Sequence, residues 1–316
     1  MAQGPTASPV RAPVFLAGAT ATGKSDVALE LARRLGGEIV SVDSMQVYRG
    51  MDIGTAKPSP GARGVIPHHL LDVVDVSEAF DAARFVSLAR AAVAEIRGRG
   101  RVPIFCGGTG LYFKAYLEGL GEAPPGDPVL RAQLEATPLP ELLRELAERD
   151  AVTHEKIDRQ NPRRVIRAIE VIRLTGKPFS AQRAEWKSAP PAGAQATPGV
   201  IGLERAPEDL KRRIAARVDE MFRRGLVQET ERLLPLGLAQ NRTASQALGY
   251  RQVMEHLAGG LTLPETIELV KIRTRQFAKR QLTWFRRQLP MTWVALEPGA
   301  RPQAAADRVC QIVHET

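Results

Sequence analysis

Cysteine is scarce: the chain of 316 residues holds two, Cys106 and Cys310, far apart and without ligand spacing. That excludes a disulfide framework and a cysteine zinc site, and it points to a reducing cytosol. Cys106 sits in an apolar run and reads as a buried thiol. No apolar run reaches the length needed to span a membrane. The first thirteen residues are rich in Ala, Pro and Ser and lack a signal-peptide core; residues 1–10 read as a disordered tail. Histidine clusters once, at His68-His69. Adjacent side chains point apart and no third ligand is near, so a structural or capping role is expected. Internal repeats are missing. Acidic residues are missing between Glu268 and Glu297, an absence taken up below.

What is present begins with basic charge. Lys and Arg total 44 against 35 acids, a net of +9, and most of the surplus is Arg. The Arg fork binds oxygens in pairs and suits phosphates and nucleic acids. Arg preference in a GC-rich genome would give the same total, so the distribution of charge decides.

Residues 18–25 read Gly18-Ala19-Thr20-Ala21-Thr22-Gly23-Lys24-Ser25. This is the pattern of a phosphate-binding P-loop. Glycines let backbone N–H groups surround a phosphate chain, Lys24 adds a point charge, and the Ser25 hydroxyl can ligate Mg²⁺. An apolar strand at 14–17 precedes the loop and a helix over 25–35 follows it, so the helix dipole faces the same phosphates. The loop alone has the shape of a nucleotide or ATP site. It does not say whose phosphate is held or which bond breaks.

Strands at 38–43 and 101–106, with a helix over 80–97, continue a βαβ rhythm. The expected fold is α/β: a P-loop NTPase-like parallel sheet flanked by helices, with an inserted all-helical domain. The catalytic core is expected at 11–118 and 199–316. Residues 119–198 form the helical insertion, between a Gly/Pro-rich linker at 119–128 and a second linker at 189–199. Val200–Leu203 returns to the sheet, and 292–296 is an edge strand. Residues 70–75 also resemble an apolar strand ending in an acid.

Ligands of such sheets bind at the carboxyl ends of the strands. Asp43 stands at one such end. It can orient a metal or accept a proton from an attacking group, or it can simply cap the next turn. The run from Asp43 to Tyr48 reads as polar and exposed. Gly107-Gly108-Thr109-Gly110 ends another strand, either approaching a ligand or making a turn with positive φ. Three stretches are basic. Residues 155–183 carry eight Lys or Arg against three acids. The acid-free stretch 269–296 carries Lys271, Arg273, Arg275, Lys279, Arg280, Arg286 and Arg287. On a helix, Ala278, Leu282, Phe285 and Leu289 make an apolar stripe opposite Arg273, Arg280 and Arg287. A solvated helix mixes its charges, so this face points to a polyanion. Trp284 could stack on a base but suits core packing. The third stretch, with Lys211, Arg212, Arg213, Arg217, Arg223 and Arg224, contains acids and reads as a surface face.

Taken together, the P-loop, the block Asp43 to Pro58, His68-His69-Leu70, Gly107 to Tyr112, Leu248-Gly249-Tyr250-Arg251-Gln252 and Lys279 to Arg286 resemble the bacterial tRNA dimethylallyltransferases, also called tRNA isopentenyltransferases. The motifs run in family order over nearly the whole chain. The resemblance implies a prenyltransferase. It would move the dimethylallyl group of dimethylallyl diphosphate to N6 of the adenosine 3′ of the anticodon, releasing diphosphate. Asp43, Thr109 and Lys24 are the implied catalytic residues, residues 18–25 the diphosphate loop, and Ser25 the Mg²⁺ ligand. The implied tRNA contacts are Asp43, Ser44, Met45, Gln46, Thr109, Arg131, Gln160, Asn161, Pro162, Arg163, Arg164, Tyr250, Arg251, Lys279, Arg280, Gln281, Thr283, Trp284 and Arg286. Its partners would be a tRNA anticodon stem-loop and dimethylallyl diphosphate, met by a monomer in the cytoplasm. Two positions depart from the family's usual loop: Ala19 stands where Pro is common and Ser25 where Thr is. A P-loop small-molecule or nucleoside kinase is the alternative reading.

Overall fold

The computed structural model describes residues 12–182 and 199–315. The expected tail and the second linker, apart from Gly199, lie outside the described residues. The chain divides into two compact units. The larger is described over 12–117 and 199–315, the smaller over 118–182.

The larger unit is built on six parallel strands. They are β1 (Val14–Gly18), β2 (Gly37–Val42), β3 (His68–His69), β4 (Val102–Gly107), β5 (Val200–Arg205) and β6 (Met291–Leu296), in the order β3-β2-β4-β1-β5-β6. The inner strands are apolar along their length because both faces of the sheet are covered. Alternate residues serve different cores. Val14 and Leu16 pack with Val27 and Leu31 of α1 (Lys24–Leu35), while Phe15 and Ala17 pack with Phe85 and Phe113 on the other face. Short α2 (Pro60–Val65) precedes β3. Phe85 belongs to α3 (Ala82–Gly98), which Asp81 caps by accepting the Arg84 N–H, and Phe113 to α4 (Gly110–Glu118).

The strand expected at 70–75 does not form. The pairing residues are His68 and His69, opposite Ile39 and Val40. Leu70 and Asp72 then take positive φ, 63° and 55°, which ends extended backbone. The histidines are structural: His68 Nδ1 meets Ile66 O at 2.7 Å, and His69 Nε2 meets the buried Glu38 carboxylate at 2.7 Å.

The smaller unit is helical, with α5 (Pro128–Ala136), α6 (Leu139–Arg149), α7 (Ala151–Lys156), α8 (Pro162–Thr175) and α9 (Phe179–Gln182). Leu134, Leu142, Leu146, Val165 and Ile169 form its core. Asn161 caps α8 by accepting the Arg164 N–H, and Pro162 fills its first turn. Gln160-Asn161-Pro162 is therefore a helix start, whatever else it does.

Back in the larger unit, β5 leads to α10 (Pro207–Arg223), α11 (Leu226–Leu233), α12 (Tyr250–Leu257) and α13 (Leu263–Gln288), and after β6 to α14 (Pro302–Glu315). A capping box of Thr262 and Glu265 starts α13. Leu210, Ile214 and Val218 of α10 meet Val270 and Ala278 of α13 over Ala19 and Ala21 of the P-loop. Burial of each larger side chain there contributes roughly 1.5–3 kcal/mol, so the two helices are fixed against the loop.

Candidate active site

The P-loop leaves β1 with Ala21 at φ 63° and closes at Gly23, φ 97°, which caps α1. Its carbonyl oxygens are tied down. Arg213 Nε donates to Ala21 O and Arg205 Nε to Thr22 O, each at 2.8 Å. Ala19 O accepts from Thr22 Oγ1 at 2.9 Å and from Lys24 Nζ at 2.5 Å. The N–H groups of residues 21–25 find no acceptor among the described residues. That is the cradle a phosphate chain needs. Ser25 is exposed at the start of α1, with its hydroxyl free of hydrogen bonds among the described residues.

A cavity of about 370 Å³ opens over this loop. Lys24, Asp43, Thr109, Cys106 and Arg217 all line it. Burial lowers the Lys24 ammonium to about 8. The same burial pushes the Cys106 thiol up to about 11, so it stays protonated and is no nucleophile. Cys106 was expected to be buried; it is half-buried and part of the cavity wall. Val218, Met221, Val270 and Phe277 make the cavity's apolar side.

Asp43 caps the next turn and keeps one carboxylate oxygen to spare. Its Oδ1 accepts the N–H groups of Met45 at 2.8 Å and Gln46 at 3.3 Å, capping the turn. Its Oδ2 has no hydrogen bond among the described residues and is available to a reacting group. Thr109 Oγ1 accepts the Ser44 N–H at 3.1 Å, joining the ends of β2 and β4. The run after Asp43 is less exposed than expected, because Val47 and Tyr48 are fully buried. Gln46 spends its amide on Ser41 Oγ and Thr55 O. The length of the Asp43–Pro58 block has a local cause. Buried Lys57 Nζ donates to Tyr48 O, Asp52 and Asp72 at 2.6–2.7 Å, gathering the segment into one knot.

None of the glycines at 107, 108 and 110 has positive φ, and Gly107 and Gly108 line the cavity. A Cβ on Gly107 would lie 2.0 Å from Val42 O, on Gly108 2.4 Å from Gln281 Nε2, and on Gly110 2.1 Å from the Trp284 ring. The turn is glycine-rich because β2 and α13 press on it.

Several expected tRNA contacts are spoken for. Tyr250 is fully buried; its hydroxyl donates to Glu229 at 2.5 Å and accepts the Gly54 N–H at 3.2 Å. It offers no surface to an RNA in this structure. Arg131 is paired with Glu170, a fully buried carboxylate that Arg167 also holds. Gln281 bonds Thr20 N–H and Gly108 O, each at 2.9 Å, and Trp284 lies partly buried on Gly110. Arg251 is exposed and meets Glu255 and Gln246. Gln160, Pro162, Arg163 and Arg164 are exposed on the smaller unit, as are Lys279, Arg280, Thr283 and Arg287 along α13. The positive face of α13 is trimmed by acids from other elements: Asp219 and its own Glu268 take Lys271, and Glu204 takes Arg286.

The sequence reading missed Arg217. It treated the α10 stretch as a surface face, and Lys211, Arg212 and Arg223 do pair with acids there. Arg213 and Arg217 turn instead to the loop. Arg217 has no hydrogen bond or ion pair among the described residues, burial lowers its guanidinium from the ordinary value, and the Asp43 charge opposes that shift. The available signal was spacing, since positions 213 and 217 share the helix face of Leu210 and Ile214.

The chain resembles known proteins over nearly its whole length. A family model described as IPP transferase matches residues 46–288, and one described as isopentenyl transferase matches residues 13–66. A tRNA dimethylallyltransferase of Nocardioides sp. is 44% identical over 324 residues, covering 100% of this chain and 99% of the relative. One of Desulforudis audaxviator is 45% identical over 300 residues, covering 94% and 96%. A tRNA isopentenylpyrophosphate transferase structure from Bacillus halodurans superposes with a TM-score of 0.69 at 37% identity, covering 96% of this chain and 97% of that one. A eukaryotic dimethylallyltransferase acting on tRNA gives a TM-score of 0.77 at 27% identity, covering 96% and 80%. Relatives aligned from end to end are transferases, which removes the kinase alternative. Matched by the family model over residues 46–288 and by such relatives along its whole length, the chain belongs to the tRNA dimethylallyltransferase family of IPP transferases.

Proposed function

We propose that this protein is a tRNA dimethylallyltransferase that attaches the five-carbon group to N6 of the adenosine 3′ of the anticodon. The observation that carries the reading is the shared cavity: a phosphate cradle, Lys24, Arg217, Asp43, Thr109 and an apolar wall all line it. The loop N–H groups, Lys24 and Arg217 would hold the diphosphate and neutralise it as it leaves. Val218, Met221, Val270 and Phe277 would shelter the dimethylallyl chain. The adenine amine is a weak nucleophile because its lone pair is shared with the ring. As N6 bonds to the allylic C1, the C1–O bond breaks, the electron pair leaves with diphosphate, and Asp43 Oδ2 takes the N6 proton.

The donors present suit Mg²⁺ shared with a diphosphate. The described residues include no cluster of three His, Cys, Asp or Glu that could cage a metal, while Ser25 offers one hydroxyl at the loop. When bound, the ion would supply charge neutralisation on the leaving group. The adenine must leave its stack to enter the cavity. The exposed side chains of α13 and the Gln160–Arg164 segment of the smaller unit would grip the anticodon stem-loop. None of the described helices is long and apolar enough to cross a membrane, and we place the enzyme in the cytoplasm as a monomer.

The test is mass spectrometry of an unmodified anticodon stem-loop after incubation with the protein, Mg²⁺ and dimethylallyl diphosphate. The expected result is the gain of one five-carbon unit on the adenosine 3′ of the anticodon. No gain with a competent RNA, alongside ATP turnover, overturns the reading.

A further inference from the structure

The α13 segment Lys279 to Arg286 turns two faces to two tasks. Lys279, Arg280, Thr283 and Arg286 are exposed. Gln281, on the other side, reaches into the larger unit and ends on two backbone groups far away in sequence. Its Oε1 accepts the Thr20 N–H of the P-loop, and its Nε2 donates to Gly108 O in the turn before Thr109, both at 2.9 Å. A neutral amide accepts at its oxygen and donates at its nitrogen, which is what these two backbone groups require. The fit is tight, since Gly108 has no room for a Cβ beneath Nε2.

Those two backbone groups belong to opposite sides of the reaction. The P-loop holds the leaving group; the Gly108 turn carries Thr109, which in turn holds Ser44 next to Asp43. β1 and β4 are neighbours in the sheet, but their pairing ends at Ala17 and Gly107. Beyond that point Gln281 spans the two loops. We infer that Gln281 is a positioning residue: a strut that fixes the phosphate loop relative to the Asp43–Thr109 side, rather than a tRNA contact. This rests on the dimethylallyl transfer proposed above. The loop's own shape does not depend on the strut, because Arg205 and Arg213 hold its carbonyl oxygens. Loss of Gln281 should therefore spare the binding of each substrate and spoil their alignment.

The experiment uses the full chain with three substitutions. Gln281→Met keeps bulk and removes both bonds. Gln281→Glu keeps the acceptor and sets an oxygen against Gly108 O. Gly108→Ala leaves Gln281 in the sequence but displaces its amide. For each, kcat for dimethylallyl transfer is measured with the Kd for the stem-loop and for inorganic diphosphate with Mg²⁺. A misalignment near 1 Å lowers kcat on the order of 100-fold, and that loss, with both Kd values within about threefold of the wild type, is the expected result in all variants that fold. A rise in stem-loop Kd with unchanged kcat overturns the inference and makes Gln281 an RNA contact. A loss of diphosphate binding overturns it in favour of a part in loop shape. A wild-type protein that transfers nothing would count against the proposed function instead.

Discussion

Thr109 Oγ1 accepts the backbone N–H of Ser44 at 3.1 Å, so the strand-end segments of β2 and β4 are held by one hydroxyl. The hydroxyl keeps its own proton for a second partner in the cavity. Thr109→Ala strands the Ser44 N–H and removes that donor. A net loss of 1–3 kcal/mol is typical of such a group, so kcat/KM should fall about tenfold or more. Thr109→Ser should restore it, and steady-state kinetics on the stem-loop reads both.

Asp43→Asn is a sharper probe than Asp43→Ala. An Asn Oδ1 can still accept the Met45 and Gln46 N–H groups, so the turn survives while the base is lost. Transfer should drop by about 100-fold or more with stem-loop affinity nearly unchanged. Filter binding beside single-turnover kinetics checks this; collapse of RNA binding in Asp43→Asn would refute the base assignment.

Lys24 gives the site a pH signature. Burial holds its ammonium near 8, so it is charged below that pH and neutral above it. A diphosphate favours the charged form and raises this value. Affinity for inorganic diphosphate should be flat below pH 8 as far as Lys24 is concerned, then fall by about tenfold per pH unit above it, with proton uptake on binding. Calorimetry in two buffers of different ionisation enthalpy reads the uptake, and Lys24→Met should abolish it.

Arg217 is half-buried beside the loop without a partner in its own chain among the described residues. Such a guanidinium is placed for an anion. Arg217→Ala should raise KM for dimethylallyl diphosphate by roughly 10- to 100-fold, the worth of a charge-assisted hydrogen bond. Arg217→Lys should recover only part, because Lys lacks the fork. Stem-loop affinity should not move.

On α13, Arg280 is exposed and lines a shallow surface groove of that helix with Lys279, Thr283 and Arg287. Arg280→Glu should weaken stem-loop binding and reduce the slope of log Kd against log salt by about 1–2. Titrations at several salt concentrations measure it; an unchanged slope would mean that this face does not meet phosphate.

The parts legible in the sequence were local ones. The P-loop, Asp43 and Thr109 each sit at a strand end, where apolar runs stop and polar residues start. The acid-free stretch announced α13 and its outward face. Its inward face was not legible, because Gln281 and Trp284 take their meaning from Thr20, Gly108 and Gly110, residues brought near only by folding. Arg217 was hidden for the same reason: acids around it mimic a solvated face, and only the packing of α10 on the loop turns it inward. Tyr250 is a tRNA contact only by family resemblance, and its partner Glu229, supplied by α11, is 21 residues away in sequence. At 70–75 the apolar residues suggested a strand, and nothing in their identity forecasts the positive φ of Leu70 and Asp72.

Arg205 and Arg213 grasp the P-loop from behind, and Ala19 O is held by Thr22 and Lys24. The family's usual proline at position 19 would stiffen the backbone from within. Here the same stiffness comes from outside contacts, so the loop has little conformational freedom to surrender when a diphosphate binds. A diphosphate would meet a receptor already in shape, and its departure would require no reordering of this loop.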